Sequence, residues 1–327
     1  SVEEPIAPVE FQGAPPCQEV VHLATDPDFD LNRLVPAPTN TPDDAGPYIT
    51  LGMCYASHPD TGLHDVTIHR LCIQGKDELS IFFTPGARHI GAMAERAEEL
   101  GQKLPISISI GVDPAIEIGS CFEPPTTPLG YDELSVAGAL RKEPVKLCKC
   151  LTVNQRAIAN AEYVIEGEVI PGVRVKEDQN SNTGYAMPEF PGYTGPASDQ
   201  CWLIKVTAVT HREKPIMQTC IGPSEEHVSM AGIPTEASIY GMVILFAGLL
   251  SGIIKLESVK EAGSFLIEIM PVMFIPAGVG LMSSWLNLKP VIIPVCIITV
   301  AAIFTVMLVS GHVTQYIVKH SKNKDEF

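Results

Sequence analysis

Basic residues are scarce in this sequence of 327 residues, which has 22 Lys and Arg against 38 Asp and Glu. The deficit lies in residues 1–238, with 16 basic and 33 acidic side chains, whereas the remainder has 6 and 5. A surface that binds nucleic acid needs a basic stripe to neutralise phosphates. The acidic composition therefore argues against nucleic acid as a partner.

Cysteine pairs at metal-binding spacing are also scarce. The nine cysteines are scattered, and only Cys148 and Cys150 stand close together. Without a second pair they are a poor candidate for a zinc site, so the cysteines are interpreted as reduced thiols of a cytoplasmic protein. The N-terminus, Ser1-Val-Glu-Glu, has neither a basic region nor an apolar run, so no signal peptide is expected.

Charge almost disappears after residue 238. Three apolar runs follow, at 239–254, 262–285 and 290–318, and the only charged residue in them is Glu268. Runs of about 20 apolar residues are typical of membrane spans, although long buried core helices are the alternative. The first run is short and spans only if it begins near Ala237. We expect residues 239–327 to form an all-α membrane segment with three spans.

Short strands dominate the sequence before that point. Apolar patterns predict strands over 48–55, 65–73, 78–83, 106–112, 143–153, 160–175, 201–210 and 216–221. Helices are expected over 90–100, from Asp113 onward and over 131–140, and residues 177–200 are expected to be a loop. Many strands with few helices predict an α+β fold built on a β-barrel.

The stretch Asp65-Val-Thr-Ile-His-Arg70 carries a carboxylate at one end and an arginine at the other. The period of two places Asp65, Thr67 and His69 on one face, and Arg70 on the other, apolar face. An arginine beside apolar residues needs an anionic partner, because burying an unpaired charge is costly. Either a chemical centre lies at the end of this strand, or the arginine forms an ordinary ion pair at a sheet edge.

Two dispersed sets of polar residues suit catalysis. One offers two carboxylates and an imidazole, ligands that suit manganese or magnesium: Asp65, His89 and Glu133. The other combines a cation with two carboxylates and can orient an acid substrate and move a proton: Arg70, Glu177 and Glu189. A metal-dependent hydrolase built on the first set is an alternative interpretation.

Five motifs follow one another along the chain: Asp65-Val-Thr-Ile-His-Arg70, Pro85-Gly-Ala-Arg-His89, Tyr131-Asp-Glu-Leu-Ser-Val-Ala-Gly-Ala139, Ala161-Glu-Tyr-Val-Ile-Glu-Gly167 and Pro188-Glu-Phe-Pro-Gly-Tyr193. Together they resemble the UbiD family of prenylated-FMN decarboxylases, and most closely its gallate and protocatechuate decarboxylase branch. The resemblance covers about residues 31–238, after a turn-rich lead-in at 1–30. It implies a split β-barrel flavin domain and reversible, non-oxidative decarboxylation of an aromatic acid.

The resemblance also implies roles for individual residues. The metal ligands are Asp65, His89 and Glu133, with Asp65 standing where the family has an asparagine. The added charge should tighten the binding of Mn(II) or Mg, which together with K+ holds the phosphate of prenylated FMN. The residues beside the flavin are Ile68, His69 and Arg70, and those on its phosphate side are Ser120 and Cys121.

The catalytic set implied by the resemblance is Arg70, Glu177 and Glu189, with Glu189 as the proton donor to the carbon that lost CO2. The implied partners are a small aromatic carboxylic acid as substrate and a flavin prenyltransferase as supplier of the cofactor. Parts of the family's N-terminal portion and its C-terminal domain do not appear in the pattern. We therefore expect a partial domain with impaired activity. A homo-oligomer would be expected only if the missing N-terminal and C-terminal parts were present.

The last part resembles another family. Tyr240-Gly-Met-Val-Ile-Leu-Phe, Ile254-Lys-Leu-Glu-Ser-Val-Lys-Glu-Ala-Gly263 and Phe274-Ile-Pro-Ala-Gly-Val-Gly-Leu-Met282 resemble the LrgA/CidA holin-like membrane proteins. That implies control of murein hydrolase activity or export, with the N-terminal part as passive cargo. The lysines flanking the spans would place residues 1–238 outside the cell, where a cytoplasmic flavoenzyme does not belong. The sequence is therefore interpreted as a chimera of two partial proteins.

Overall fold

The computed structural model describes residues 4–83, 89–122, 127, 129–188, 194–221 and 224–251. The chain separates into two units, residues 1–250 and 251–327, and only Ser251 of the second unit is described. The spans predicted over 262–285 and 290–318 therefore lie outside the described residues.

The described part contains twelve strands. They are β1 (Val9–Glu10), β2 (Val20–Leu23), β3 (Tyr48–Ser57), β4 (His64–Ile73), β5 (Glu78–Ile81), β6 (Leu104–Ile110), β7 (Lys146–Lys149), β8 (Arg156–Ile158), β9 (Tyr163–Val175), β10 (Tyr185–Pro188), β11 (Thr194–Pro196) and β12 (Cys201–His211). The helices are α1 (Leu31–Leu34), α2 (His89–Glu99), α3 (Pro114–Gly119), α4 (Glu133–Arg141) and α5 (Glu225–Leu250), with a 3₁₀ turn at Pro16–Gln18.

Six antiparallel strands form the barrel in the order β12, β5, β4, β3, β6 and β9. The barrel closes because β9 pairs back onto β12 along most of its length. The other edge of β12 is shared, since residues 202–205 pair with β5 and residues 208–211 pair with β2. The predicted β-barrel core is confirmed.

The barrel interior is filled by alternate residues of its strands. In β6 the inward residues are Ile106, Ile108 and Ile110, which belong to the main apolar cluster. The intervening Ser107 and Ser109 are also buried, and both form hydrogen bonds with the backbone of β8. Ser107 donates its hydroxyl to the carbonyl of Arg156, and the hydroxyl of Ser109 accepts from the N–H of Ile158. The alternation of Ile and Ser predicts a strand with one exposed face here, and this prediction is wrong, since a second layer covers the outer face.

That second layer is a small sheet of β1, β7 and β8 together with α3 and α4. The two helices begin at aspartates whose side chains cap the first turn, Asp113 bonding to Ala115 N and Asp132 to Leu134 N. Pro114 follows its cap at the first helical position, where the missing N–H costs nothing. These caps fix where Ser120, at the end of α3, and Glu133, at the start of α4, are placed.

Most predicted elements appear within about three residues of their expected ends, but one strand is absent. Residues 216–221 form no strand, because their backbone N–H groups bond to side chains: Ile216 N to Glu162 and Cys220 N to Thr50. The strand predicted over 143–153 is limited to β7, because Leu151 N and Thr152 N bond to the carboxylate of Glu166. The stretch 177–200 is not all loop, since it contains β10 and β11.

Helix α5 covers most of the first predicted span but begins earlier, at Glu225, with Pro234 in its interior. Among the residues that the structure describes, no helix combines the length and apolar character that a membrane crossing requires. The eight described cysteines are free thiols.

Candidate functional site

Three potential metal ligands meet beside the start of β4. One ligand atom from each of Asp65, His89 and Glu133 lies within 4.8 Å of the others. They come from β4, the first residue of α2 and the first residue of α4, so three separate elements converge here. Asp65 and Glu133 are buried and His89 is partly buried, which protects the cluster from bulk water on most sides.

The polar environment of this cluster suits a cation. His89 Nδ1 lies 2.9 Å from Asp65 Oδ1, and Thr67 donates its hydroxyl to Asp65 Oδ2. Glu133 Oε2 is buried without a hydrogen-bond partner among the described residues. Burial, and next the negative charge of Asp65, raise the pKa of Glu133 to about 9. A dication would relieve both costs, so the three residues fit Mn(II) or Mg.

Arg70 lies at the other end of the same strand and faces Glu177. Its Nε is 3.6 Å from Glu177 Oε1, and the carboxylate is buried while the guanidinium is about a quarter exposed. Tyr48 donates its hydroxyl to the same oxygen at 3.0 Å, and Ser198 N donates to Oε2 at 3.1 Å. Two hydrogen-bond donors and the charge of Arg70 therefore surround a carboxylate that sits between Arg70 and the start of β3.

The backbone around Glu177 is also held. Gln74 Nε2 donates to the carbonyl of Glu177 at 2.7 Å, and Glu177 N donates to Ser198 O. Asn180 Nδ2 in turn donates to the carbonyl of Gln74 at 2.9 Å. Glu177 is thus fixed in a segment without regular structure by bonds to the turn after β4 and to the residues before β12.

Glu189 lies outside the described residues. The segment leading to it is anchored, because Met187 packs in a small buried cluster with Ala45, Tyr48 and Cys72. The carbonyl of Ala186 accepts a bond from Ala45 N at 2.7 Å. Tyr48 therefore contacts both the carboxylate of Glu177 and the chain that precedes Glu189.

The residues predicted to lie along the flavin also meet. Ile68 N approaches Ser120 O at 3.5 Å, and Ile68 and Cys121 pack against the same apolar cluster. The Ser120 hydroxyl is buried, and its oxygen lies 2.9 Å from the carbonyl oxygen of Glu117 and 3.1 Å from Met53 Sδ. His69 packs edge-on against Phe83, with 5.2 Å between ring centroids.

Three contributors to the site were missed at the level of sequence. Thr67 carries a weak signal, since the alternation of β4 already places it beside Asp65. Tyr48 and Ser198 carry none, because their contacts with Glu177 join segments 129 and 21 residues apart. Only the closure of the barrel brings those segments together.

Comparison with known proteins agrees with this geometry. Residues 9–225 match the family model of the UbiD 3-octaprenyl-4-hydroxybenzoate carboxy-lyase Rift-related domain. Residues 224–314 match the LrgA family model. The two matches meet at the start of α5.

Relatives with stated activities cover the first of these regions. The chain is 57% identical over 244 residues to a gallate decarboxylase of Lactiplantibacillus plantarum, a match that covers 74% of this chain and 50% of that protein. It is 30% identical over 203 residues to an anhydromevalonate phosphate decarboxylase of Methanothermobacter thermautotrophicus, which covers 61% and 44% of the two chains.

Solved structures give the same result. Apo 3,4-dihydroxybenzoic acid decarboxylase of Klebsiella pneumoniae aligns with a TM-score of 0.70 and 59% identity, over 73% of this chain and 49% of that one. The UbiD-class enzyme HmfF of Pelotomaculum thermopropionicum, in complex with prFMN, aligns with a TM-score of 0.64 and 41% identity, over 72% and 52%. The chain thus spans about half the length of the relatives it matches. Over its barrel and the site at β4, the chain belongs to the UbiD family of carboxy-lyases.

Proposed function

We propose that residues 31–238 form the active-site half of a reversible, non-oxidative decarboxylase of a phenolic aromatic acid, such as gallate or protocatechuate. The observation that carries this proposal is the placement of two polar centres on one strand. The cluster at Asp65 and the ion pair at Arg70 are five residues apart on β4, about 16 Å along a strand. A phosphate-bearing cofactor can lie between them.

Arg70 is proposed to bind the carboxylate of the substrate. A guanidinium presents five N–H donors in a planar fork, enough for two carboxylates, and Glu177 orients it through Nε. Glu177 is itself fixed by Tyr48 and Ser198, so Arg70 has little freedom to swing away. An arginine fixed in this way holds the substrate carboxylate in the orientation from which it can leave as CO2.

Glu189 is proposed to deliver the proton to the carbon that lost CO2. The two glutamates then have different roles, with Glu177 as the acceptor that positions Arg70 and Glu189 as the general acid. The reverse reaction needs the same residues, with Glu189 receiving the proton.

Prenylated FMN is proposed as the cofactor, and when bound it supplies the electron sink for decarboxylation. Asp65, His89 and Glu133 would hold Mn(II) or Mg at its phosphate end, with K+ as a second cation. Ile68 and His69 would lie along the flavin, and Ser120 and Cys121 beside its phosphate. A flavin prenyltransferase would supply the cofactor.

Coexpression with a flavin prenyltransferase, in the presence of Mn(II) and K+, tests this function. The purified protein is expected to show a flavin absorption band and to release CO2 from 3,4-dihydroxybenzoate or gallate. R70A should abolish turnover and keep the band, whereas R33A, which alters an arginine of α1 outside the site, should keep both. If R70A binds the cofactor and releases CO2 as fast as the unmodified chain does, the proposed role of Arg70 is refuted.

The LrgA match supports a second candidate for the other end of the chain. We propose that residues 239–327 insert in a membrane and act as a holin-like segment. Cell fractionation of the full chain tests this, because an inserted protein stays in the membrane pellet after an alkaline carbonate wash. Any lysis phenotype should be the same in R70A. Recovery of the full chain in the washed supernatant would contradict insertion.

A further inference from the structure

Two histidines meet on strands that take no part in the site described above. His22 lies on β2 and His211 on β12, and the register of these strands makes them diagonal neighbours on one face. Their Nε2 atoms are 3.1 Å apart, and their rings are nearly parallel, with 5.2 Å between centroids. Both side chains are partly buried. The ring of Tyr163 packs beside that of His211, with 5.5 Å between the two ring centroids.

The other nitrogen of His211 fixes its tautomer. Nδ1 lies 2.6 Å from the carbonyl oxygen of Arg212, which can only accept, so Nδ1 carries the proton. In the neutral ring, Nε2 of His211 then presents a lone pair towards His22. A backbone carbonyl that orients an imidazole in this way is the usual outer partner of a metal-binding histidine.

We propose that His22 and His211 bind one transition-metal dication, such as zinc, nickel or copper, through their Nε2 atoms. Two nitrogens at a metal–nitrogen distance of about 2.0–2.1 Å are about 2.9 Å apart at a right angle and about 3.3 Å apart at the tetrahedral angle. The observed 3.1 Å lies between these values. Water completes the coordination, because both rings are only partly buried.

Binding of a metal to the neutral pair needs no net release of protons. Without metal, His22 Nε2–H donates to His211 Nε2. On binding, both Nε2 lone pairs go to the metal, and the proton of His22 moves from its Nε2 to its Nδ1. A pair of imidazoles prefers borderline metals, whereas Asp65, His89 and Glu133 offer two carboxylates and suit harder ions. The histidine pair is therefore expected to bind nickel, copper or zinc but not Mg, whereas the cluster at Asp65 also accepts the harder ions.

Metal binding here would clamp the N-terminal part of the chain. Among the described strands, β2 pairs only with β12, over four residue pairs. A metal that joins the two strands adds a cross-link that exists only in the folded state, so it should raise the melting temperature.

Titration of the chelator-treated full chain with NiCl2 tests the proposal, using calorimetry and thermal melting. The matched variants are H22A and H211A, with H58A as the control, since among the described residues the only hydrogen bond of the His58 side chain is the one that it accepts from Asp60 N. The unmodified chain and H58A should each bind one equivalent of nickel at the histidine pair. H22A and H211A should bind this equivalent at least about tenfold more weakly. Any nickel bound at Asp65, His89 and Glu133 should be the same in the unmodified chain and the three variants, so it does not affect the comparison between them.

The metal-dependent rise in melting temperature separates binding from folding. It should appear in the unmodified chain and H58A, and be lost in H22A, while MgCl2 should give no difference between these proteins. If H211A does not fold, H22A and H22Q decide alone, because their substitution lies on the peripheral strand β2. Equal nickel stoichiometry, affinity and thermal shift in the unmodified chain and H22A would overturn the proposal.

Discussion

Tyr48 and Glu177, 129 residues apart in the sequence, share a buried hydrogen bond of 3.0 Å from the phenol Oη to the carboxylate Oε1. Burial, and next the charge of Glu177, raise the pKa of Tyr48 well above its usual value. The phenol therefore keeps its proton and remains a donor over the whole physiological pH range. This bond ties the start of β3 to the carboxylate that faces Arg70.

Replacing Tyr48 with Phe removes that donor and keeps the ring. A hydrogen bond to a charged group contributes about 1.5–3 kcal/mol, and its loss leaves the Glu177 carboxylate with the hydrogen bond from Ser198 N and the ion pair with Arg70. We expect Y48F to lower the free energy of unfolding by about 1–3 kcal/mol, as measured by urea denaturation. We also expect slower decarboxylation by the cofactor-loaded protein, because Arg70 is held less firmly.

Y185F is the matched control for this experiment. Tyr185 is about half exposed on β10, so loss of its hydroxyl should leave stability and turnover unchanged. If Y48F behaves like Y185F in both measurements, the buried bond contributes nothing, and the other contacts of Glu177 are enough to place it.

Thr67 provides a second test through Asp65. Its hydroxyl donates to Asp65 Oδ2, which leaves Oδ1 facing His89. Loss of an outer partner typically weakens metal binding by about 10–100-fold. We expect T67V to bind Mn(II) more weakly by about this factor in calorimetry, and T67S, which keeps the hydroxyl, to bind as the unmodified chain does. Equal affinities in T67V and T67S would contradict this role.

The sequence predicted the strands well where one pattern governs them. The alternation over β4 placed Asp65, Thr67 and His69 together, and apolar runs gave β9 and β12. Patterns failed where a side chain replaced a backbone partner. Glu166 accepts from Leu151 N and Thr152 N and ends β7 early, and a contact of this kind leaves no trace in local periodicity.

The candidate site was predictable only in part, for the same physical reason. Asp65, His89 and Glu133 were selected by residue type and resemblance, and the packing of α2 and α4 against β4 then explains why they converge. Tyr48 could not be selected, since a tyrosine at the start of a strand usually serves packing. Its role depends on the distance to Glu177, which only the fold determines.

Glu117 should make the stability depend on pH. Burial raises its pKa to about 7 from the usual 4.5, against an opposing hydrogen bond from Gln218. Between those pH values the folded protein keeps a proton that the unfolded chain has released, so stability falls as pH rises through this window, by up to about 3 kcal/mol. We expect E117Q to remove this loss in urea denaturation series from pH 4.5 to 8.

The expected signature is a difference between two pH profiles. E117Q should gain stability relative to the unmodified chain as pH rises towards 8. E95Q, at an exposed position of α2, should follow the unmodified chain throughout. Parallel profiles for the unmodified chain and E117Q would show that Glu117 ionises in the folded protein without cost.

Gly52 should tolerate no side chain, because β3 approaches its neighbours closely there. A Cβ at this position would lie 2.5 Å from Leu71 Cδ1, 3.0 Å from Ile108 Cγ2 and 3.1 Å from the carbonyl oxygen of His69. Overpacking of this kind costs about 1–3 kcal/mol, so G52A should melt at a lower temperature. Gly195, with nothing within 4 Å of a Cβ, supplies the control G195A, which should melt as the unmodified chain does.

Because Gly52 is paired with His69, the displaced backbone should also disturb the strand between Asp65 and Arg70, and G52A should bind Mn(II) more weakly than G195A. Equal melting temperatures and equal affinities would mean that β3 and β4 can separate there without affecting the site.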